Sequence, residues 1–132
     1  MNDHGSILSD QLLHQFAKRC GGYDRKNRFF HEDFEDLRDA GYLTMPVPQE
    51  FGGQGFTLAQ VCREQRRLGY YAPATALGIN MHLYWVGLAA DLWRHGDRSL
   101  EWLLKEAMIG EIFNAGHSER GNDLPEIGRA HV

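Results

Sequence analysis

The sequence predicts an all-α protein, a helical bundle, and three observations support that fold class. Apolar residues recur at helical spacing in five segments between residues 6 and 108. Glycine and proline residues separate most of these segments. Only a short run near residue 112 has a pattern that a strand could adopt. A chain of 132 residues with 42% apolar residues has the size of one domain.

The first two helices are predicted from short apolar stripes. Residues 6–20 carry a partial stripe that ends at Gly21, and the polar residues 23–28 then predict a loop. A short helix is predicted over residues 31–40, because its apolar residues share one face and Gly41 follows its end. Four of its acidic residues are expected to form a solvated face: Glu32, Asp33, Glu35 and Asp36.

Residues 42–56 hold two prolines and three glycines and cannot continue a helix. The run at residues 52–55 (GGQG) lacks the preceding strand and the following Lys-Ser/Thr of a phosphate loop. It is therefore interpreted as a tight turn into the third helix. Thr57 is the predicted N-cap of that helix, which is expected to end near Gly69.

The fourth and fifth helices are predicted to complete the bundle. Pro73 suits the first turn of a helix that continues to Arg94 and is apolar almost all round, so it is expected in the middle of the bundle. Either Asp97 or Ser99 is the predicted cap of a fifth helix that ends near Met108.

The pattern changes after the fifth helix. Residues 112–115 predict either one strand or the extended entry to a loop. A single strand needs a sheet partner for its backbone groups, and no other segment offers a persuasive one. The sheet is therefore expected beyond residue 132 or in another chain. The polar residues 116–123 that follow could present backbone N–H groups to an anion or an aromatic heterocycle.

Composition and charge exclude several classes of protein. The chain has 14 Lys+Arg, 18 Asp+Glu and a net charge of −4, so nucleic acid is not expected as a main partner. No apolar run approaches the roughly 20 residues that cross a bilayer, and the N-terminus does not resemble a signal peptide. Cys20 and Cys62 lack metal-ligand spacing and fit buried thiols in a reduced, cytoplasmic protein.

The sequence also lacks familiar catalytic motifs. It has no G-x-S-x-G, and both cysteines lie inside helical patterns, so no hydrolase triad is predicted. The seven histidines are scattered, without H-E-x-x-H or C-x-x-C, so no metal site is predicted.

Several segments together resemble the N-terminal helical domain of the acyl-CoA dehydrogenase family. Residues 37–43 (LRDAGYL) and 48–55 (PQEFGGQG) are similar to the family's L-x-x-x-G-(L/Y) and P-x-x-(Y/F)-G-G-x-G. Residues 94–97 (RHGD) resemble its F-G-(T/S/D) stretch, and residues 118–123 (SERGND) resemble the T-E-P-x-x-G-S-D loop that opens its β-domain. The resemblance covers residues 34–125 in the family's order.

The resemblance implies a division of the chain. Residues 1–110 correspond to the helical domain and residues 111–125 to the start of the flavin-binding β-domain. Residues 126–132 do not resemble the family, and residues 127–132 (IGRAHV) are what a common sequencing adapter encodes. A non-native tail is therefore expected there.

The resemblance also implies a cofactor, FAD, and the residues that contact it. In the family, backbone and hydroxyl groups of the loop after the first β-strand meet the flavin ring. The matching positions are Ala115, His117, Ser118, Gly121 and Asn122. Ser118 keeps the hydroxyl of the usual Thr, and Asn122 is a polar replacement for the usual Ser.

Four residues of the fourth helix fall where family members approach the acyl chain: Met81, His82, Tyr84 and Trp85. The alternative is that they belong to the core of the bundle. His82 is a polar group in an apolar helix and needs a hydrogen-bonding partner in either case.

The family removes two hydrogens across the Cα–Cβ bond of an acyl thioester. A carboxylate takes the α-proton, and the flavin takes the hydride. That base lies in the C-terminal helical domain, so it is expected beyond residue 132, and Glu50, Glu111 and Glu119 are not at its position.

The expected function is therefore a fragment of a flavin-dependent acyl-CoA dehydrogenase, inactive by itself. Its parent is expected to be a homo-oligomer that uses an acyl-CoA substrate and an electron acceptor. Two alternatives remain. One is a fragment of a flavin-dependent monooxygenase or nitroalkane oxidase of the same fold. The other is a non-catalytic helical module that binds a partner through residues 77–93.

Overall fold

A computed structural model describes residues 6–115, and this part of the chain forms five α-helices and two 3-10 turns without a β-strand. The all-α fold class is confirmed. The helices are α1 (Asp10–Lys26), α2 (His31–Asp39), α3 (Leu58–Tyr71), α4 (Pro73–Arg94) and α5 (Glu101–Met108). The first 3-10 turn is Tyr42–Thr44, and the second is Gln49–Phe51.

Helix α4 is the element around which the others pack. It contacts α3, α5 and the first 3-10 turn, while α1 packs on α3. One apolar cluster joins α1, α2, α3 and the first half of α4 through residues such as Phe16, Leu37 and Leu68. A second cluster joins the later turns of α4 to α5, with Val86 and Leu104 at its centre.

Helix α1 is longer than its sequence predicts. The Ser9 side chain accepts a hydrogen bond from the Leu12 amide at 3.1 Å and caps the helix, which then continues through Gly21 to Lys26. The predicted end at Gly21 and the predicted loop over residues 23–26 are therefore wrong, and α1 begins at Asp10 rather than at residue 6. The phenol of Tyr23 donates to Glu32 of α2 at 2.8 Å, and such contacts offset the low helix propensity of the glycines.

The loop at residues 42–56 contains the predicted tight turn, which is confirmed. The Gly55 amide donates to the Val47 carbonyl at 2.8 Å, and the Phe56 amide donates to Met45 at 2.9 Å. A Cβ atom at Gly53 would lie 2.2 Å from the Val47 carbonyl oxygen. Only glycine fits that position, since the two backbone segments touch there.

Helix caps follow the sequence at α3 but not at α5. Thr57 and Gln60 form a reciprocal capping box, which confirms the predicted N-cap, although α3 continues past Gly69 to Tyr71. At α5 the N-cap residue is Leu100, without a side-chain hydrogen bond. Asp97 instead accepts from the Ser99 amide at 2.9 Å and closes the preceding turn, so neither predicted residue caps the helix.

Helix α4 begins with Pro73 as predicted, but it is not buried all round. Leu77, Met81 and Tyr84 recur at helical spacing and are 77%, 37% and 58% exposed. We call these three residues the α4 stripe. The opposite face, including Leu83 and Val86, is buried.

The acidic face of α2 is not fully solvated, because Asp33 is completely buried. Its carboxylate accepts a hydrogen bond from the Thr75 hydroxyl at 2.8 Å and pairs with Arg19 at 3.1 Å. Burial raises the pKa of Asp33, and the bonds from Thr75 and Arg19 oppose that rise. This carboxylate therefore joins α1, α2 and α4.

The two cysteines are more accessible than the sequence predicts. Cys62 is exposed and Cys20 is half-buried, so the prediction of buried thiols is wrong.

No helix within residues 6–115 has the length and apolar character to cross a membrane. The same residues contain no group of three or more His, Cys, Asp and Glu placed to hold a metal ion.

Candidate functional site

The four predicted substrate residues occupy three different environments along the middle of α4. Met81 and Tyr84 belong to the exposed α4 stripe, while His82 is only 2% exposed. Trp85 is half-buried and packs against the cluster between α4 and α5. The fold therefore brings the four side chains together only in pairs: Met81 and His82 line one cavity, and the Tyr84 and Trp85 rings pack edge-to-face with centroids 5.5 Å apart.

Met81 and His82 line a cavity of about 140 Å³ that we call the aromatic cavity. Its walls come from the segment before α2, from α2, from α4 and from the residues after α5. The lining residues are Phe29, Phe30, Phe34, Leu43, Gly78, Ile79, Met81, His82, Ile112, Phe113 and Asn114. The wall contains no charged side chain.

Gly78 determines how closely the aromatic residues approach α4. A Cβ atom at Gly78 would lie 2.5 Å from Cε1 and Cζ of Phe30. Phe30 in turn stacks on Phe29, with ring centroids 4.2 Å apart. The absence of a side chain at residue 78 thus lets an aromatic pair form one side of the cavity.

Tyr84 lines a different cavity of about 170 Å³. Its other walls come from α3, the preceding loop and the later turns of α4. They are Pro46, Phe56, Leu58, Val61, Leu83, Gly87, Leu88, Asp91 and Arg94. This cavity shares no lining residue with the aromatic cavity.

His82 is a hydrogen-bonded junction between three parts of the chain. Its Nε2 lies 2.8 Å from the Leu43 carbonyl oxygen of the first 3-10 turn, and its Nδ1 lies 3.1 Å from the Phe113 amide nitrogen. A carbonyl can only accept and an amide N–H can only donate, so Nε2 carries the proton and Nδ1 accepts. Burial lowers the pKa of His82, which favours this neutral form.

Residues 111–115, which we call the exit segment, lead away from α5 without forming a strand. The Phe113 ring lies nearly parallel to the His82 ring, with centroids 6.1 Å apart, and edge-to-face against Trp102 at 6.0 Å. The Ala115 amide donates to the Asn114 side chain at 2.8 Å.

Ala115 is the single predicted flavin contact within the described part of the chain. The other four lie outside it: His117, Ser118, Gly121 and Asn122. The assignment of residues 111–125 to the start of a β-domain stays a prediction for the same reason.

Two of the motifs that carry the family resemblance, residues 37–43 and 48–55, have structural roles here. Tyr42 is fully buried, and its hydroxyl donates to the Gln65 side chain at 2.8 Å; the Gln65 amide donates to the Ala76 carbonyl at 3.1 Å. Burial raises the pKa of Tyr42. Phe51 of the second motif packs edge-to-face on Trp93, with centroids 5.2 Å apart. The motifs thus connect the loop to α3 and α4.

Sequence reasoning missed Leu43 and Phe113 as partners of His82. The only signal in the sequence was a polar residue inside an apolar helix, which predicts that a partner exists but not which one. The partners lie 39 and 31 residues from His82, so no local pattern identifies them.

Comparison with known proteins identifies the class to which this domain belongs. The family model described as "Acyl-CoA dehydrogenase, N-terminal domain" matches residues 10–101. The chain therefore belongs to the acyl-CoA dehydrogenase family, and its helices form the N-terminal domain.

A curated relative is the Bacillus subtilis (strain 168) protein named "Putative acyl-CoA dehydrogenase YdbM", which is 27% identical over 118 residues. The alignment covers 89% of this chain and 31% of that protein. The chain thus spans about a third of the length of the curated relative it matches. No solved structure matches the chain.

Proposed function

We propose that the chain is the N-terminal part of a flavin-dependent acyl-CoA dehydrogenase that forms a Cα–Cβ double bond in an acyl-CoA thioester. The match of the family model to residues 10–101 carries this proposal. The contacts of buried Tyr42 with α3 and of half-buried Phe51 with α4 support it, because the motifs behind the resemblance build the domain itself.

The aromatic cavity is the part of the described structure that best suits an apolar or heteroaromatic group. Its wall includes Phe29, Phe30, Phe34 and Met81. Such a lining excludes water and favours flat or aliphatic groups over charged ones. Met81 is 37% exposed and is the proposed contact to substrate at the rim.

The other predicted substrate residues have separate roles in this proposal. Tyr84 is the proposed contact for a group that enters the α3–α4 cavity, and Trp85 supports α4 from the side of α5. The His82 ring lines the aromatic cavity, and both of its nitrogens already form hydrogen bonds with protein groups.

FAD is the proposed cofactor, held in part by Ala115, His117, Ser118, Gly121 and Asn122. When bound, the flavin supplies the acceptor for the substrate hydride. The described residues fit such a group in one respect: the exit segment borders an aromatic, uncharged cavity. Ala115 lies next to Asn114, which lines that cavity.

The chain by itself is proposed to be inactive. No carboxylate lines the aromatic cavity among residues 6–115, whereas the reaction needs one to remove the α-proton. The base is proposed to lie in a later helical domain of a longer parent. That parent is proposed to be a cytoplasmic homo-oligomer that passes electrons to a separate acceptor.

The test begins with long-read sequencing of the source locus, to recover a reading frame that continues past Pro125. The purified longer protein is expected to carry stoichiometric flavin, and an acyl-CoA is expected to bleach its visible absorbance. The matched control is the 132-residue chain, which is expected to carry no stoichiometric flavin and to reduce no dye.

Several outcomes would contradict the proposal. A genomic stop codon directly after Val132 would refute the longer parent. Dye reduction by the 132-residue chain would refute its inactivity. A longer flavoprotein that oxygenates its substrate or oxidises nitroalkanes, and that acyl-CoA does not bleach, would replace dehydrogenation by one of the alternative reactions.

A further inference from the structure

We propose that His82 is a positioning residue that fixes the exit segment against α4 and so positions Ala115, the predicted flavin contact within the described residues. The part that concerns the exit segment stands on the geometry alone. The part that concerns the flavin rests on the proposed function.

One imidazole holds together three segments that are distant in the sequence. His82 is buried in the middle of α4 and is hydrogen-bonded to the first 3-10 turn through Leu43 and to the exit segment through Phe113. The exit segment begins with a bond from the Glu111 amide to the Glu106 carbonyl of α5 at 3.1 Å. Two residues further along, the Phe113 amide donates to His82 of α4, so the exit segment is bonded first to α5 and then to α4.

The hydrogen bond to Nδ1 fixes the orientation of the Phe113 backbone, which apolar packing of the ring alone does not fix. The Phe113 ring is held by apolar contact with His82 and Trp102, and apolar contact is non-directional. A hydrogen bond from the Phe113 amide requires the backbone, and not only the ring, to face the imidazole. Phe113 lies two residues before Ala115, so a fixed Phe113 backbone restricts where this predicted flavin contact can lie.

Two variants separate positioning from packing. In His82→Asn, the side-chain oxygen lies near the former Nδ1 and can still accept from Phe113, while the donor to Leu43 is lost. In His82→Gln, the amide nitrogen lies near the former Nε2 and can still donate to Leu43, while the acceptor near Nδ1 is lost. Gln is closer than Asn to His in volume, so a packing role predicts that Gln is the milder change.

The experiment measures amide hydrogen exchange by NMR on the full 132-residue chain at neutral pH, with the amides of buried α4 residues as an internal reference. His82→Gln is expected to speed the exchange of the Phe113 amide about tenfold relative to the reference, and His82→Asn about threefold or less. Equal effects, or a larger effect of Asn, would overturn the proposal.

A second measurement needs no variant to fold. Nitrogen-15 spectra of the wild-type imidazole are expected to show the proton on Nε2 and a hydrogen-bonded, unprotonated Nδ1. A proton on Nδ1 would leave no acceptor for Phe113 and would overturn the proposal.

The flavin step is tested in the longer protein. His82→Gln is expected to weaken flavin binding about tenfold, because it removes the acceptor for the Phe113 amide. His82→Asn keeps that acceptor and is expected to weaken flavin binding less. Equal flavin affinity in the two variants would overturn the flavin step. A wild-type longer protein without flavin would instead refute the proposed function, and the exchange measurement would still decide the role of His82.

Discussion

At the scale of single residues, the buried imidazole of His82 links protonation to folding. The neutral ring donates through Nε2 and accepts through Nδ1, and protonation of Nδ1 turns that acceptor into a donor facing the Phe113 N–H. His82 also lines a second cavity of about 180 Å³, whose charged or titratable wall residues are Arg38 of α2 and Glu111 of the exit segment. Burial outweighs the Leu43 bond and lowers the pKa of His82 below its ordinary value.

The pH dependence follows from the direction of that shift. A lowered pKa in the folded state stabilises the fold above the unfolded pKa of about 6.5, and this stabilisation is lost as the pH falls through the folded pKa. We expect the free energy of unfolding of wild type, measured by urea titration, to fall on acidification below about pH 6.5. His82→Gln is expected to reduce that fall.

The matched control is His14→Gln at an exposed position of α1, which leaves His82 in place and is expected to keep the wild-type profile. The raised pKa of Asp33 acts in the opposite direction, but it is present in all three proteins and cancels in the comparison. An unchanged profile in His82→Gln would show that the buried imidazole does not contribute.

At the scale of elements, α4 contains two glycines with different surroundings. A Cβ atom at Gly78 would meet the Phe30 ring at 2.5 Å, whereas a Cβ at Gly87 would have no neighbour within 4 Å. Alanine favours a helix over glycine at both positions, so the comparison isolates the contact with Phe30.

We expect Gly87→Ala to raise the free energy of unfolding by about 0.5–1 kcal/mol, because only helix propensity changes. Gly78→Ala is expected to be less stable than Gly87→Ala by about 1–3 kcal/mol, since the aromatic pair must move. Urea titration of both variants checks this. Equal stability would mean that the Phe30 ring shifts aside without cost.

At the scale of the whole molecule, the α4 stripe is an apolar surface on the outside of the described bundle. Leu77 is 77% exposed and Tyr84 is 58% exposed. Exposed apolar groups in a row on one helix face favour self-association of an isolated domain. We therefore expect the α4 stripe to contribute to self-association of this chain.

Replacing Leu77 and Tyr84 together by Lys is expected to lower self-association in sedimentation experiments. The free energy of unfolding is expected to change by about 0.5 kcal/mol or less per substitution, because neither side chain is buried. The control is Leu83→Lys on the buried face, which is expected to unfold the domain. Strong destabilisation by the double replacement would show that the stripe is covered.

Much of the fold could be predicted because its signals are local. Thr57 caps α3 through Gln60, three residues away, and Pro73 begins α4 through its own fixed backbone angle. The segment at residues 42–56 departs from an α-helix because of its own prolines and glycines. These features depend on backbone geometry within one turn, so the sequence is sufficient to find them.

The candidate site was only partly predictable. The sequence placed Met81, His82, Tyr84 and Trp85 on one helix, which is correct, but treated them as one site. Helical geometry turns each successive residue by about 100°, so neighbours in the chain face different partners. Which partners they face depends on how the other helices pack.

The sequence by itself determined that this protein is helical, where most of its helices begin, and to which family it belongs. Only the tertiary structure decided that α1 continues past Gly21, that Asp33 is buried, and that His82 joins Leu43 to Phe113. The physical reason is the range of the interactions. Caps and turns are made within a few residues, whereas burial and buried hydrogen bonds depend on groups that only folding brings together.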